Sequence, residues 1–163
     1  MSFIVIIPAR FSSIRLPGKP LIDIGGKPMI ERVYGLAKQS KAKEVYVATD
    51  HKEILDCCSS FGAKAVMTKP EHLTGTDRVA EMTEILNLTS ETVIVNLQGD
   101  EPFLHFSDID NLAKFFIKEK RFDICTLFSN FTDKQNQSDP NLVKLWVDKE
   151  GAVKGFSRRR DFI

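Results

Sequence analysis

Phe3-Ile-Val-Ile-Ile-Pro8-Ala-Arg10-Phe-Ser-Ser-Ile-Arg15-Leu-Pro-Gly-Lys19-Pro20 is the stretch that decides the fold. Its five leading apolar residues, three of them isoleucines, read as a buried strand of a parallel sheet. Proline cannot donate to a sheet ladder, so Pro8 is expected to end that strand. The loop beyond it carries Arg10, Arg15 and Lys19, with Ser12, Ser13 and Gly18 between them. Three cations at the carboxyl end of a first strand are placed to hold a polyanion, because ligands bind at that edge of open α/β sheets. A solvated basic loop is the simpler alternative. The loop has neither the Walker spacing nor Gly-x-Gly-x-x-Gly, which disfavours an ordinary P-loop or a dinucleotide fingerprint.

Composition narrows the class. A chain of 163 residues that is 42% hydrophobic suits one domain with a real core. The net charge of +1 gives no global field to attract nucleic acid, so any anion site must be local. Cys57, Cys58 and Cys125 are odd in number and form no Cys-x-x-Cys pair, which reads as reduced thiols in a cytoplasmic protein. Cys57 and Cys58 lie on a helix stripe and read as packing, not as nucleophiles. No signal peptide is expected, since the first apolar run stops at Pro8, and no membrane span, since no stretch approaches the roughly 18 apolar residues one needs.

Outward from the first loop, strands and helices alternate. A helix is expected from Lys27-Pro28 to about Gln39, with Met29, Ile30, Val33, Leu36 and Ala37 as its stripe. Glu44–Ala48 reads as a strand, and Thr49 or Asp50 as the cap of a helix over Lys52–Phe61. A short strand follows at Ala63–Met67. Thr76 or Asp77 would cap a helix over Val79–Leu88, and its free N–H groups beside Arg78 could also meet an anion. Glu91–Leu97 reads as the central buried strand, running into Gln98-Gly-Asp100-Glu-Pro102. There Asp100 is a hard oxygen donor suited to Mg²⁺, or else part of an acidic turn. Ser107 is expected to cap a helix over Asp108–Lys120, followed by a strand at Asp123–Phe128. Asn141–Val147 and Ala152–Phe156 read as a hairpin.

Ile7-Pro8-Ala9-Arg10, Ser13 and Arg15-Leu-Pro-Gly-Lys19-Pro20-Leu21 together resemble the signature loop of the CMP-Kdo synthetases, the 3-deoxy-manno-octulosonate cytidylyltransferases. Ala48-Thr-Asp-His51, His72-Leu-Thr-Gly75-Thr-Asp-Arg78, Val95-Asn-Leu-Gln98-Gly-Asp-Glu-Pro102, Pro140-Asn141 with Val143-Lys144, and Phe156-Ser-Arg158 extend the likeness over nearly the whole chain. The CMP-sialic acid synthetases share the Pro-Ala-Arg opening but usually lack the Arg-Leu-Pro-Gly-Lys-Pro run.

The resemblance implies an α/β, Rossmann-like nucleotide-diphospho-sugar transferase fold. Its central sheet would be mostly parallel, with helices on both faces. Residues 1–130 would form the nucleotide-binding core, and 131–163 the start of a β-rich dimerisation and sugar-binding subdomain. It implies transfer of CMP from CTP to 3-deoxy-D-manno-octulosonate (Kdo), giving CMP-Kdo and pyrophosphate for lipopolysaccharide biosynthesis. Mg²⁺ would be the cofactor and Asp100 its ligand. Arg10, Lys19 and Asp100 would be catalytic. Pro8, Ala9, Arg10, Arg15, Lys19, Thr49, Asp50, His51, Gly75, Arg78 and Gln98 would hold the nucleotide, and Gln98 and Arg158 the sugar. CTP and Kdo are the implied partners, in a cytoplasmic homodimer, without nucleic acid or membrane.

Proteins of the family are substantially longer. The rest of the dimerisation subdomain, several sugar contacts and a second metal-binding aspartate are therefore expected to be missing here. A cytidylyltransferase for another acid sugar, such as sialic acid, or a catalytically silent nucleotide-binding remnant are the competing expectations.

Overall fold

Strand β1, Phe3–Ala9, is buried at every position and runs inside a four-stranded parallel sheet. The computed structural model describes residues 2–12, 16–132 and 138–159. The chain divides into two compact units, Met1–Thr126 and Leu127–Ile163. In the first, β2 (Glu44–Thr49), β3 (Ala65–Met67) and β4 (Val93–Asn96) complete the sheet in the order β3-β2-β1-β4.

Side chains alternate along a strand, so β1 serves two cores. Phe3, Val5, Ile7 and Ala9 face helices α1 (Met29–Lys38), α2 (Lys52–Ser60) and α4 (Phe106–Lys118), against Ile30, Val33, Ile54, Cys58 and Ile109. Ile4 and Ile6 face α3 (Gly75–Ile85), against Val79 and Met82. The sheet is thus covered on both faces, as the unbroken apolar run required. Burial pushes the Cys58 thiol up to about 12, which fits packing rather than nucleophilic chemistry.

Several local expectations are corrected. Pro8 does not end β1; it stands opposite Ala48 in the ladder with β2. The Leu97 N–H donates to the Ile6 carbonyl at 3.1 Å, so even-numbered residues of β1 turn their polar groups toward β4. The β4 pairing ends at Ile6–Asn96, so the N–H that Pro8 lacks has no acceptor waiting for it. β4 is not central but lies at an edge of the sheet among the described residues. Residues 123–128 form no strand. No strand pairs beyond β4 among the described residues, and a strand without a ladder partner cannot satisfy its backbone. Ile124 is accordingly 85% exposed.

Two helices are capped by histidines, not by the expected hydroxyl or carboxylate residues. His51 Nδ1 accepts the Glu53 N–H, and His105 Nδ1 accepts the Ser107 N–H. Helix α3 starts at Gly75, four residues before the expected Val79. Among the described residues no helix is long and apolar enough to cross a membrane.

In the second unit, β5 (Lys144–Val147) and β6 (Val153–Ser157) form the expected antiparallel hairpin. Asp148 organises its turn by accepting the N–H groups of Glu150 and Ala152, each at 2.9 Å. A Cβ on Gly155 would overlap the Trp146 indole, so any larger residue there would displace that ring.

Candidate nucleotide site

The strand order changes direction between β1 and β4. β1 leads to α1 on one face of the sheet and β4 is entered from α3 on the other, and a crevice opens at their carboxyl ends. A cavity of about 520 Å³ lies there. Pro8 and Ala9 come to it from β1, Arg10 and Lys19 from the first loop, Gln98, Gly99 and Asp100 from the segment after β4, and Gly75 and Arg78 from α3 with its cap Thr74.

Lys19 opens a short 3-10 turn, Lys19–Leu21, that follows Gly18 in the left-handed region at φ +67°. This turn aims the ammonium across the crevice, where Lys19 Nζ lies 2.6 Å from Asp100 Oδ2. Both side chains are partly open to solvent, at 36% and 48% exposure. Such a pair contributes little to stability, roughly 0–1 kcal/mol, and separates readily. Arg10 is exposed at the same edge.

Close backbone approach shapes the floor. A Cβ on Gly99 would stand 2.9 Å from the Pro8 carbonyl oxygen. A Cβ on Gly75 would meet Pro8 Cγ at 3.1 Å and Gln98 Oε1 at 3.2 Å. Gln98 Nε2 donates to Asn96 Oδ1 at 2.8 Å, which leaves its amide oxygen on the Gly75 side.

The start of α3 is held by a capping box. The Asp77 N–H donates to Thr74 Oγ1 at 3.1 Å, and the Thr74 N–H donates to Asp77 Oδ2 at 3.0 Å. The Thr74 hydroxyl and N–H also hold the Asp77 carboxyl below the usual range. The sequence carried this signal as Thr74-x-x-Asp77, three residues apart. Taking Thr76 or Asp77 as the cap hid it. Glu81 is not part of the box. It accepts the Lys69 N–H at 2.8 Å and contacts His72 Nε2. Burial alone would raise the Glu81 carboxyl, but the hydrogen bonds from His72 and Lys69 hold it below its ordinary value.

Not every expected residue reaches the cavity. Arg78 lines it, yet its side chain is 2% exposed and its guanidinium is committed inward. Nη2 donates to Asp50 Oδ2 at 2.8 Å, and Nη1 donates to Thr68 Oγ1 and to the Lys69 carbonyl. Thr49, Asp50 and His51 are not among the lining residues. Thr49 Oγ1 accepts the His51 N–H at 3.3 Å, and His51 caps α2. Asp50, expected as a cap or a base contact, binds Arg78 and accepts the Phe11 N–H at 3.0 Å.

Arg15 lies outside the described residues. Arg158 belongs to the second unit, where it donates to the Pro140 and Asn141 carbonyls at 3.2 and 3.1 Å. Sequence reasoning missed the apolar rim, Leu16 and Leu73, which are 46% and 85% exposed. An apolar residue in a polar loop is the only signal either one carries.

Asp100 is the only carboxylate lining the cavity among the described residues, and no cluster of three metal-ligating side chains occurs among them. A magnesium-like ion is commonly held by one or two carboxylates together with substrate phosphates and water. The donor set therefore fits a cation that arrives with a polyphosphate, not one caged by protein alone.

A family model described as "Cytidylyltransferase" matches residues 4–162. The 3-deoxy-manno-octulosonate cytidylyltransferase of Saccharophagus degradans is 46% identical over 97% of this chain. The protein of the same name from Haemophilus influenzae is 47% identical over 97% of it. In both cases the chain spans 62% of the relative's length. A solved structure titled CMP:2-keto-3-deoxy-manno-octonic acid synthetase complexed with CTP superposes with a TM-score of 0.86 at 37% identity, covering 99% of this chain and 66% of that one.

Proposed function

The chain belongs to the cytidylyltransferase family, and from that premise we propose that it transfers CMP from CTP to Kdo, releasing pyrophosphate. The observation that carries this reading is the pairing of Lys19 with Asp100 in a crevice at the carboxyl ends of β1 and β4. A cation for phosphate and a hard oxygen donor for a metal face each other there. The likeness to the CTP-bound synthetase and to relatives named for Kdo supports the choice of substrates.

In this reading the triphosphate lies between Arg10 and Lys19. Lys19 Nζ would turn from Asp100 to a phosphate oxygen, and the Asp100 carboxylate would be the residue that holds Mg²⁺. The metal supplies charge neutralisation on the phosphates when it is bound. Gly75 and Gly99 let backbone approach the nucleotide, and Gln98 lies between nucleotide and sugar. The anomeric oxygen of Kdo bonds to the α-phosphorus as the bond from that phosphorus to pyrophosphate breaks, and the hydroxyl proton passes to solvent. Cationic side chains fixed around the phosphates offset the charge of this transition state, where positioning and electrostatics dominate. Arg158 and the hairpin unit would serve the sugar. Mg²⁺ as the metal, a homodimer as the assembly and the cytoplasm as the compartment belong to the same reading. The free thiols of Cys57, Cys58 and Cys125 suit a reducing compartment.

The test is pyrophosphate release by this chain with CTP, Kdo and Mg²⁺, with CTP alone and CTP plus sialic acid as controls, alongside calorimetric titration of CTP. Kdo-dependent release supports the full reading. Release with sialic acid but not Kdo overturns the choice of sugar. Absence of CTP binding overturns the nucleotide site.

A further inference from the structure

The first loop is closed at a neck. The Gly18 N–H donates to the Phe11 carbonyl at 2.9 Å, so residues 11 and 18 are tied together. Arg10 stands immediately before this tie and Lys19 immediately after it. Whatever fixes Phe11 therefore fixes both cations at once. Three contacts do so. The Phe11 N–H donates to Asp50 Oδ1 at 3.0 Å. Its ring stacks on His51 with centroids 3.8 Å apart and planes 17° from parallel. The same ring lies beneath Gly18, where a Cβ would stand 3.5 Å from it.

Asp50 is itself held. Its side chain is 10% exposed, and its second oxygen takes Arg78, which is locked to Thr68 and to the Lys69 carbonyl. The carboxylate thus couples the first loop to α3 and to the segment after β3, although it does not line the cavity.

We propose that Asp50 is a positioning residue for the nucleotide phosphates: through the Phe11 N–H it sets where Arg10 and Lys19 stand. It acts through the neck and touches no substrate. The inference rests on the nucleotide reading for its functional half, while its structural half stands without ligand.

The experiment compares wild type, Asp50→Ala, Asp50→Asn and Phe11→Ala. Amide hydrogen exchange is read at Phe11 and Gly18, and CTP affinity by calorimetry, both well below the unfolding temperature. In Asp50→Ala, exchange at both amides should accelerate and CTP affinity should fall about tenfold, the scale of one charge-assisted hydrogen bond. Asp50→Asn retains an acceptor for the Phe11 N–H and should restore part of both. The losses in Asp50→Ala and Phe11→Ala should be non-additive in the double variant, because both act on one neck.

A folded Asp50→Ala with unchanged exchange at Phe11 and Gly18 overturns the proposal. So does accelerated exchange with CTP affinity within twofold of wild type. If Asp50→Ala does not fold, Asp50→Asn carries the same two readouts: its neutral amide weakens the bond to the Phe11 N–H, so both should fall between wild type and full loss, and wild-type exchange and CTP affinity overturn the proposal. If wild type binds no CTP, the nucleotide reading fails, and the exchange data alone decide whether Asp50 holds the neck.

Discussion

Replacing Arg78 by methionine isolates what the buried guanidinium does. Methionine keeps an unbranched apolar stem of similar reach, so the cavity left behind is small. What is lost is the charge and its bonds to Asp50, Thr68 and the Lys69 carbonyl. With Arg78 at 2% and Asp50 at 10% exposure, this is a buried pair, and solvent cannot rescue the stranded carboxylate. Removing one member of such a pair costs about 3–5 kcal/mol. Domains are stable by only about 5–15 kcal/mol, so the loss is a large fraction of the total. With a urea dependence of about 2 kcal/mol per molar, the unfolding midpoint should fall by roughly 1.5–2.5 M. The assay is urea unfolding of the ligand-free protein followed by far-ultraviolet circular dichroism. Asp50→Asn and the double variant complete a cycle whose coupling should exceed about 1 kcal/mol. A guanidinium held ready for phosphate would behave differently: its loss would weaken CTP binding and leave the ligand-free midpoint unchanged. A destabilisation below about 0.5 kcal/mol, the scale of an exposed pair, would refute the reasoning.

Three further outcomes are expected. Asp100→Asn should cut metal-dependent turnover by about a hundredfold or more, the scale of losing one charge-stabilising group. Its effect on the unfolding midpoint should be slight, because the Lys19 pair is solvent-exposed; unchanged turnover would exclude Asp100 as the metal ligand. Gly99→Ala should cost about 1–3 kcal/mol and weaken CTP binding, because its Cβ would stand 2.9 Å from the Pro8 carbonyl and force β1 and β4 apart; a wild-type melting temperature and CTP affinity would contradict this. The Glu81 carboxyl is lowered in the fold, so the stabilisation from its ionised form is fully present above its unfolded value of about 4.3 and disappears as pH falls through the lowered folded value. The stability gap between wild type and Glu81→Gln should therefore be flat above about pH 5 and shrink toward pH 3; a gap equal at pH 3 and pH 6 would remove the ionised carboxylate as its cause.

The parts of this fold that sequence made legible are those where one physical constraint dominates. An unbroken apolar run must be buried on both sides, and β1 is. A glycine after Asp148-Lys-Glu invites a tight turn, and the hairpin turns there, with Gly151 at φ +85°. Lys19 and Asp100 came from separate loops, and placing both at carboxyl strand ends was enough to anticipate that they share an edge.

Choices between competing local partners were not legible. Asp50 could cap α2 as well as any aspartate, but His51 does so, and the carboxylate goes to Arg78, which is remote in sequence. Thr74, Thr76 and Asp77 are all plausible caps, and α3 takes Thr74, with Asp77 closing the capping box three residues on. Residues 123–128 have every local mark of a strand; what they lack is a neighbour, which no local pattern can report.

Trp146, set over Gly155 in the hairpin, is the only tryptophan in the chain, while among the described residues helices α1–α4 lie in the other unit. Indole emission therefore reports on the hairpin unit, and helical ellipticity reports on the sheet-and-helix unit. Heating one unlabelled sample and recording both signals gives each unit its own melting curve. Coincident curves would mean that the two units unfold as one cooperative body; separated curves would rank them by stability without cutting the chain.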